Sequence, residues 1–166
     1  MNSQRSAGLR MIGVAWVLVF LLAVFAFDSY LINPNRNPSS SIDDQAAIVV
    51  LKDNRNKQYE VGGSINGQKV TFFVDTGATN VAVPGGLAAK LGLKKGRPIQ
   101  VMTANGRAKA YATTINTIKI GDITLSNVVG SINPTMDDGI LLLGMSALKN
   151  LEIRHKDGEL TLIQYQ

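Results

Sequence analysis

The sequence predicts an all-β domain, a small sandwich or partly closed barrel with one or two short helices, carried behind an N-terminal transmembrane helix. Three observations predict it. Short runs of apolar or alternating residues repeat from Ala46 to the end of the chain. Four two-residue turn signals, Asn66-Gly67, Asn105-Gly106, Gly121-Asp122 and Asp157-Gly158, each stand between two such runs, which is the strongest short-range signature of a β-hairpin. Helical signals beyond the N-terminal segment are few.

The N-terminal segment comes first. Met11 to Phe27 carries no charge, and Leu9 and Tyr30 to Ile32 extend the apolar character on either side. A bilayer core of ~30 Å takes ~20 apolar residues as a helix, so 11–32 reads as a transmembrane signal anchor. Arg5 and Arg10 precede it and Asp28 follows, which puts residues 1–10 in the cytoplasm and the rest of the chain outside. A cleaved signal peptide is the competing reading, with Val24-Phe25-Ala26 as its junction. The run is longer than the usual ~7–15-residue apolar region of such peptides, and both readings export the same domain. Trp16 falls inside the anchor. Residues 33–45 begin with NPNRNPSSS, a composition that makes a flexible, extended tether.

The exported domain is expected over 46–166. Ile48 to Leu51 is a short apolar strand. Tyr59 to Ile65 and Lys69 to Val74 flank the first Asn-Gly turn, and Gly62-Gly63 within the former reads as a bulge. Pro84 to Leu91 fits a short helix stopped by Gly92. Ile99 to Thr103 and Ala108 to Ile115 flank Asn105-Gly106. Thr117 to Ile120 and Ile123 to Val129 flank Gly121-Asp122. Ile140 to Leu143 is a buried strand, and the turn of helix after it has Ser146 as a cap candidate. Leu151 to His155 and Leu160 to Ile163 form the last hairpin.

Composition removes several function classes. The chain has no cysteine, so disulfides, thiol catalysis and Cys-based zinc sites are out. The net charge is +5, but the Lys and Arg residues are scattered and no run interleaves them with aromatics. That argues against a nucleic-acid footprint and for a solvated basic surface, with attraction to anionic lipid as a weaker alternative. His155 is the sole histidine and lies in a polar stretch, and no nucleophile elbow accompanies it. Asp137-Asp138-Gly139 lacks the later ligands of a calcium loop.

Phe72-Phe73-Val74-Asp75-Thr76-Gly77-Ala78-Thr79 carries the chemistry. A buried strand delivers a carboxylate at its end, beside the core, where an isolated acid resists ionisation. Thr76 can hydrogen-bond nearby backbone and lock the loop. Gly77 lets backbone approach the carboxylate closely, or takes a conformation closed to other residues. The tripeptide alone reads as a plain Asx turn; the apolar triplet before it and the segment downstream turn the reading toward catalysis.

The segment resembles the active-site loop of retropepsins, the single-domain aspartic proteases of clan AA. A second likeness follows downstream. Leu142-Leu143-Gly144, then Met145-Ser146, is similar to the family's structural strand and short helix that cross behind the active-site loop. The chain looks most like bacterial membrane-anchored members, through its anchor, tether and Leu-Leu-Gly-Met-Ser segment. Viral members commonly have an acid where Thr79 stands and an arginine where Met145 stands, a pair that supports the dimer; both are absent here.

The resemblance implies a retropepsin-type domain with Asp75 as catalytic residue and Thr76, Gly77 and Ala78 supporting its loop. It makes the Asn105-Gly106 hairpin, with Ala104, Asn105 and Gly106 at its tip, a flap over the substrate. It implies an endopeptidase in the inner membrane, facing the periplasm, acting on peptides without metal or cofactor and without nucleic acid. One carboxylate cannot serve as acid and base at once, and the sequence holds one such loop. A homodimer with an Asp75/Asp75′ dyad is therefore expected. The alternative is a non-catalytic module on the same fold that binds extended peptides or envelope partners.

Overall fold

The computed structural model describes residues 16–23, 38–43, 45–103 and 106–165. It divides into two units, Met1–Asn33 and Pro34–Gln166. In the first, residues 16–23 form a helix, α1; the rest of the anchor expected over 11–32 and the cytoplasmic residues 1–10 lie outside the described residues. Among the described residues no helix is long and apolar enough to cross a membrane.

The second unit is all-β apart from one short helix. Its strands are β1 (Ser39–Asp43), β2 (Ala46–Lys52), β3 (Glu60–Ile65), β4 (Gln68–Val74), β5 (Val81–Pro84), β6 (Pro98–Thr103), β7 (Gly106–Ile120), β8 (Ile123–Asn133), β9 (Leu142–Leu143), β10 (Glu152–Lys156) and β11 (Glu159–Tyr165), with α2 (Met145–Leu148) between β9 and β10. One sheet has the order β1-β2-β11-β10, the other β3-β4-β9-β5-β8-β7-β6. In the larger sheet β3 also pairs with β7, through Ser64–Lys119 and Ile65–Ile118. Six strands thus return on themselves as a partly closed barrel, and β6 pairs only with the far half of β7.

The hairpins follow from local chemistry. Asn66 and Gly67 have φ of 49° and 81°, and Asp157 and Gly158 have 51° and 79°, the doubly positive pair that a type I′ turn demands. Gly121 at φ 55° turns β7 into β8 where expected, with Ile120 opposite Ile123. The two segments expected as separate strands, 108–115 and 117–120, are one strand, β7. It and β8 keep their pairing across Asn116 and Asn127, but the buried face changes there. Ile118 and Leu125 are buried on one side of this point, and Ile115 and Val128, of the opposite parity, on the other. Asn127 takes φ 55°, so the ribbon folds over the core at a residue type that tolerates the left-handed region.

Phe72, Ile65, Ile115, Ile118, Ile132, Leu141, Leu143 and Leu148 are fully buried in one core. Val49, Leu51 and Leu162 of the smaller sheet join the same cluster, so that sheet lies against the barrel.

Four expectations need correction. Residues 39–43 were expected in the tether but form β1, paired along its whole length with β2 from Ser39–Val50 to Asp43–Ala46; an edge strand needs only backbone partners, which its serines do not oppose. Gly62-Gly63 is not a bulge, because β3 and β4 pair without interruption. Gly63 is glycine because a Cβ there would strike the Lys119 carbonyl and come within 2.9 Å of the Phe72 ring. The segment after Pro84 makes one i→i−4 bond, Leu91 N–H to Leu87 C=O, and then ends. It closes as a Schellman motif, with Leu93 N–H on Ala88 C=O and Gly92 N–H on Ala89 C=O and Gly92 at φ 66°. Finally, the β6–β7 register sets Thr103 opposite Gly106. Gly106, expected in the turn, therefore opens β7 instead, and Ala104 and Asn105 lie outside the described residues.

Candidate active site

The Asp75 loop is built by three strands. β9 runs parallel to β4 on one side, Phe73–Leu142 and Val74–Leu143, and meets β5 on the other at Ala82–Leu142. The chain leaving β4 therefore loops around the end of β9 before it returns as β5. Phe73 N–H bonds Leu141 C=O at 2.8 Å, and Asp75 N–H bonds Leu143 C=O at 3.1 Å. The hydrophobic run 140–143 was expected to cross behind this loop, and its carbonyls are what hold it.

The segment after β9 continues the support. Met145 N–H donates to Ala78 C=O at 2.8 Å and Ser146 N–H to Thr79 C=O at 2.9 Å. Gly144 lies under the carbonyls of Ala78 and Asn80; a Cβ there would be 2.6 Å from the former and closer still to the latter. Only glycine lets the two segments approach this far. Ser146 does not cap α2, whose first turn has no side-chain cap. Its Oγ instead accepts from Val81 N–H at 3.0 Å and donates to Val129 C=O at 2.6 Å, joining β5 to β8 behind the loop. Sequence reasoning missed this role, because both partners are distant in the chain and only a paired geometry reveals them.

Asp75 itself is half-buried. One carboxylate oxygen, Oδ1, accepts from Gly77 N–H at 2.8 Å, and Ala78 N–H closes the turn on Asp75 C=O at 3.2 Å. A Cβ on Gly77 would stand 3.1 Å from Oδ1, so this glycine serves close approach rather than positive φ. The other oxygen, Oδ2, has no hydrogen-bond partner among the described residues. Thr76, expected to lock the loop, is exposed and makes no hydrogen bond among the described residues; the lock comes from Gly77 and from the β9–α2 segment. The Asx-turn bond is present, and it leaves half of the carboxylate free to act.

Asp75 opens on a cavity of about 570 Å³. Apolar Phe73, Val74, Ile140 and Leu142 line it together with Lys57, Gln58, Tyr59 and Glu60. Tyr59 C=O accepts from Val74 N–H at 2.9 Å, which ties this wall to the strand carrying Asp75. The Tyr59 hydroxyl lies 2.8 Å from His155 Nε2, with the rings edge to face. His155 is exposed and buttresses the cavity wall from outside. At the expected flap, Ala104 and Asn105 lie outside the described residues. Gly106 is exposed with φ 100°, and the Thr103 hydroxyl donates to its carbonyl at 2.8 Å.

Residues 61–150 match the family model described as "gag-polyprotein putative aspartyl protease". An uncharacterized protein encoded in the cobV 5′ region of a Sinorhizobium species is 34% identical over 162 residues, 88% of this chain and 69% of that protein. An uncharacterized protein of Rickettsia prowazekii (strain Madrid E) is 28% identical over 163 residues, 90% of this chain and 69% of that protein. The crystal structure of a retropepsin-like aspartic protease from Rickettsia conorii superposes with a TM-score of 0.62 at 31% identity, over 76% of this chain and 96% of that one. With the Asp75 loop held by β9 and α2 as described, these matches establish that the chain belongs to the retropepsin-like aspartic protease family of clan AA.

Proposed function

We propose that the protein is a membrane-anchored aspartic endopeptidase of the inner membrane that works as a homodimer, with its domain on the periplasmic side. The observation that carries the reading is the Asp75 carboxylate. One oxygen is fixed by Gly77 N–H, the other is free, and the group stands at the mouth of a cavity large enough for a substrate side chain. Membership of the family supports the choice of reaction.

The chemistry follows from pairing Asp75 with its equivalent in a second copy. Two carboxylates in contact cannot both be charged, so the dyad holds one proton and titrates as a unit. The ionised member takes a proton from a water, and the resulting hydroxide attacks the scissile carbonyl carbon. The protonated member hydrogen-bonds the carbonyl oxygen and neutralises the developing charge. Proton transfer to the leaving nitrogen then breaks the C–N bond and restores the shared proton. An extended peptide, held by backbone bonds between hairpin and floor, presents the bond. The apolar lining from Phe73, Ile140 and Leu142 suits an aliphatic or aromatic side chain next to it. The uncharged run 11–27 supports the anchor, and anchoring both copies in one bilayer raises their effective concentration.

The test is cleavage of an unfolded protein mixture by wild type and Asp75→Asn, from acid to neutral pH, with new termini read by mass spectrometry. New termini with wild type alone, rising faster than linearly with enzyme concentration, are expected. Identical uncut profiles at every concentration and pH would turn the reading to a peptide-binding module.

A further inference from the structure

The charge of the chain is unevenly placed. Between Asp75 and Asp122 stand seven Lys or Arg residues and no Asp or Glu. The β6–β7 hairpin collects part of this charge on one face. Its register sets Met102 opposite Arg107, Gln100 opposite Lys109 and Pro98 opposite Tyr111, and directly opposed residues share a face. These residues are exposed, with Tyr111 half-buried. The reverse face, with Ile99, Val101, Ala108 and Ala110, is half-buried or buried. Lys95 joins from the preceding loop. Its Nζ lies 5.4 Å from the Tyr111 ring centroid, and that of Lys109 lies 5.8 Å away.

Two ammonium groups thus share one aromatic ring, with Arg107 further along the same face. None of the three has a carboxylate partner among the described residues. Beside them Met102 is 74% exposed, a large apolar side chain left in water on a strand whose other face turns inward. Cations surrounding an exposed apolar side chain and a half-buried tyrosine match a headgroup layer. Phosphates meet the cations, and the apolar tips enter the boundary below.

Chain length keeps a bilayer within reach. β1 begins at Ser39. Given the anchor over 11–32, only residues 33–38 remain as tether, which reach ~20 Å at full extension. The domain is then kept near the bilayer, where attraction to anionic lipid acts within a Debye length of ~8–10 Å. We propose that the exposed face of the β6–β7 hairpin, through Lys95, Met102, Arg107, Lys109 and Tyr111, docks on an anionic lipid surface. This goes beyond the protease reading and relies on the anchor only to bring a bilayer within reach. Docking would orient the hairpin, and with it the substrate entrance, toward polypeptide emerging at the membrane surface.

The experiment uses the full chain mixed with vesicles of phosphatidylcholine, alone or with phosphatidylglycerol. Flotation reports membrane association, and amine acylation followed by mass spectrometry reports each lysine. The expected result is flotation with both lipids. Labelling of Lys95 and Lys109 should fall about threefold or more with phosphatidylglycerol only, be restored by high salt and leave Lys156 unchanged. Lys109→Glu should abolish the protection of Lys95. Flotation with phosphatidylglycerol vesicles alone would support docking while overturning the anchor. Flotation with both lipids and equal labelling would overturn docking alone, and flotation with neither would overturn both. Protection by soluble polyglutamate but not by phosphatidylglycerol would overturn the lipid assignment and give the face to acidic proteins.

Discussion

Replacing Ser146 by alanine tests whether the bridge behind the Asp75 loop supports the fold as its geometry implies. The hydroxyl accepts from Val81 N–H at 3.0 Å and donates to Val129 C=O at 2.6 Å. Val81 is fully buried, so no water can replace the lost acceptor, and an amide stranded there costs ~1–3 kcal/mol. Val129 is 53% exposed, so its carbonyl regains a water and adds little. The expected loss is ~2 kcal/mol, which for a domain of this size lowers Tm by roughly 8 °C. Thermal and urea unfolding of wild type and Ser146→Ala would measure it. Ser126→Ala, at an exposed position of β8, serves as reference and should change stability by less than ~0.5 kcal/mol. A Ser146→Ala loss no larger than that of Ser126→Ala would refute the bridge, and with it the claim that β5 and β8 are joined there by a side chain.

Other perturbations act on neighbouring contacts. Gly144→Ala drives a methyl into the carbonyls of Ala78 and Asn80; it should cost ~1–3 kcal/mol in denaturant unfolding. Because the Ala78 carbonyl must move, it should also reduce peptide cleavage by more than tenfold at temperatures where the variant is folded. Phe72→Ala empties a fully buried site and should cost ~3–5 kcal/mol by urea titration. Asn66→Ala loses the bonds from Asn66 Nδ2 to Leu91 C=O and from Thr117 N–H to Asn66 Oδ1, and should cost ~2 kcal/mol by the same measurement. Glu152 is held below its ordinary carboxylate value of 4.5 by the Tyr165 hydroxyl first and Arg154 second. Its folded value is depressed, so its contribution is complete above the ordinary value and disappears as pH falls through the lowered one. Tyr165→Phe should therefore narrow the stability gap to wild type below that window, as read by thermal unfolding across acid pH.

How much of this was legible in the sequence depended on how local each cause is. The Asn66-Gly67 and Asp157-Gly158 turns were, because their positive φ values are a property of two adjacent residues. So was the Asp75 loop, a buried strand ending in an acid and a glycine. The hydrophobic run at 140–143 was recognised, but not that only Leu142 and Leu143 form ladder pairs, since those pairs depend on β4 and β5, some 60 to 70 positions earlier. β1 was hidden because an edge strand exposed on one side requires no apolar alternation, and Ser39-Ser40-Ser41 looks like a tether whether or not it is paired. Gly63 and Gly144 were visible as glycines, but the carbonyls that exclude a Cβ come from Lys119 in one case and from Ala78 and Asn80 in the other. The basic face was the largest omission. Lys95 and Lys109 appear scattered along the chain, and it takes the β6–β7 register to bring both over Tyr111.

These non-local contacts separate orientation from reaction at Asp75. The carboxylate owes its position to Gly77 N–H, to the Leu143 carbonyl on its own amide and to the β9–α2 segment beneath its loop. None of these supports touches Oδ2. Asp75→Asn keeps the acceptor for Gly77 in one amide orientation and removes the ionisable group, so the proposed chemistry should be lost while the loop is preserved. Ser146→Ala and Gly144→Ala do the reverse, leaving the acid and loosening what aims it. If the active unit is a dimer with one Asp75 from each copy, adding an excess of Asp75→Asn to Ser146→Ala should remove the activity that Ser146→Ala retains, because every mixed dimer lacks one ionisable group. Mixing Ser146→Ala with wild type yields dimers with both carboxylates and one loosened loop, and activity between the two parents. A protein whose Asp75 worked alone would instead show activity in proportion to its wild-type and Ser146→Ala chains, whatever Asp75→Asn was added. The mixing curve therefore distinguishes a shared dyad from a single acid without requiring the substrate to be known.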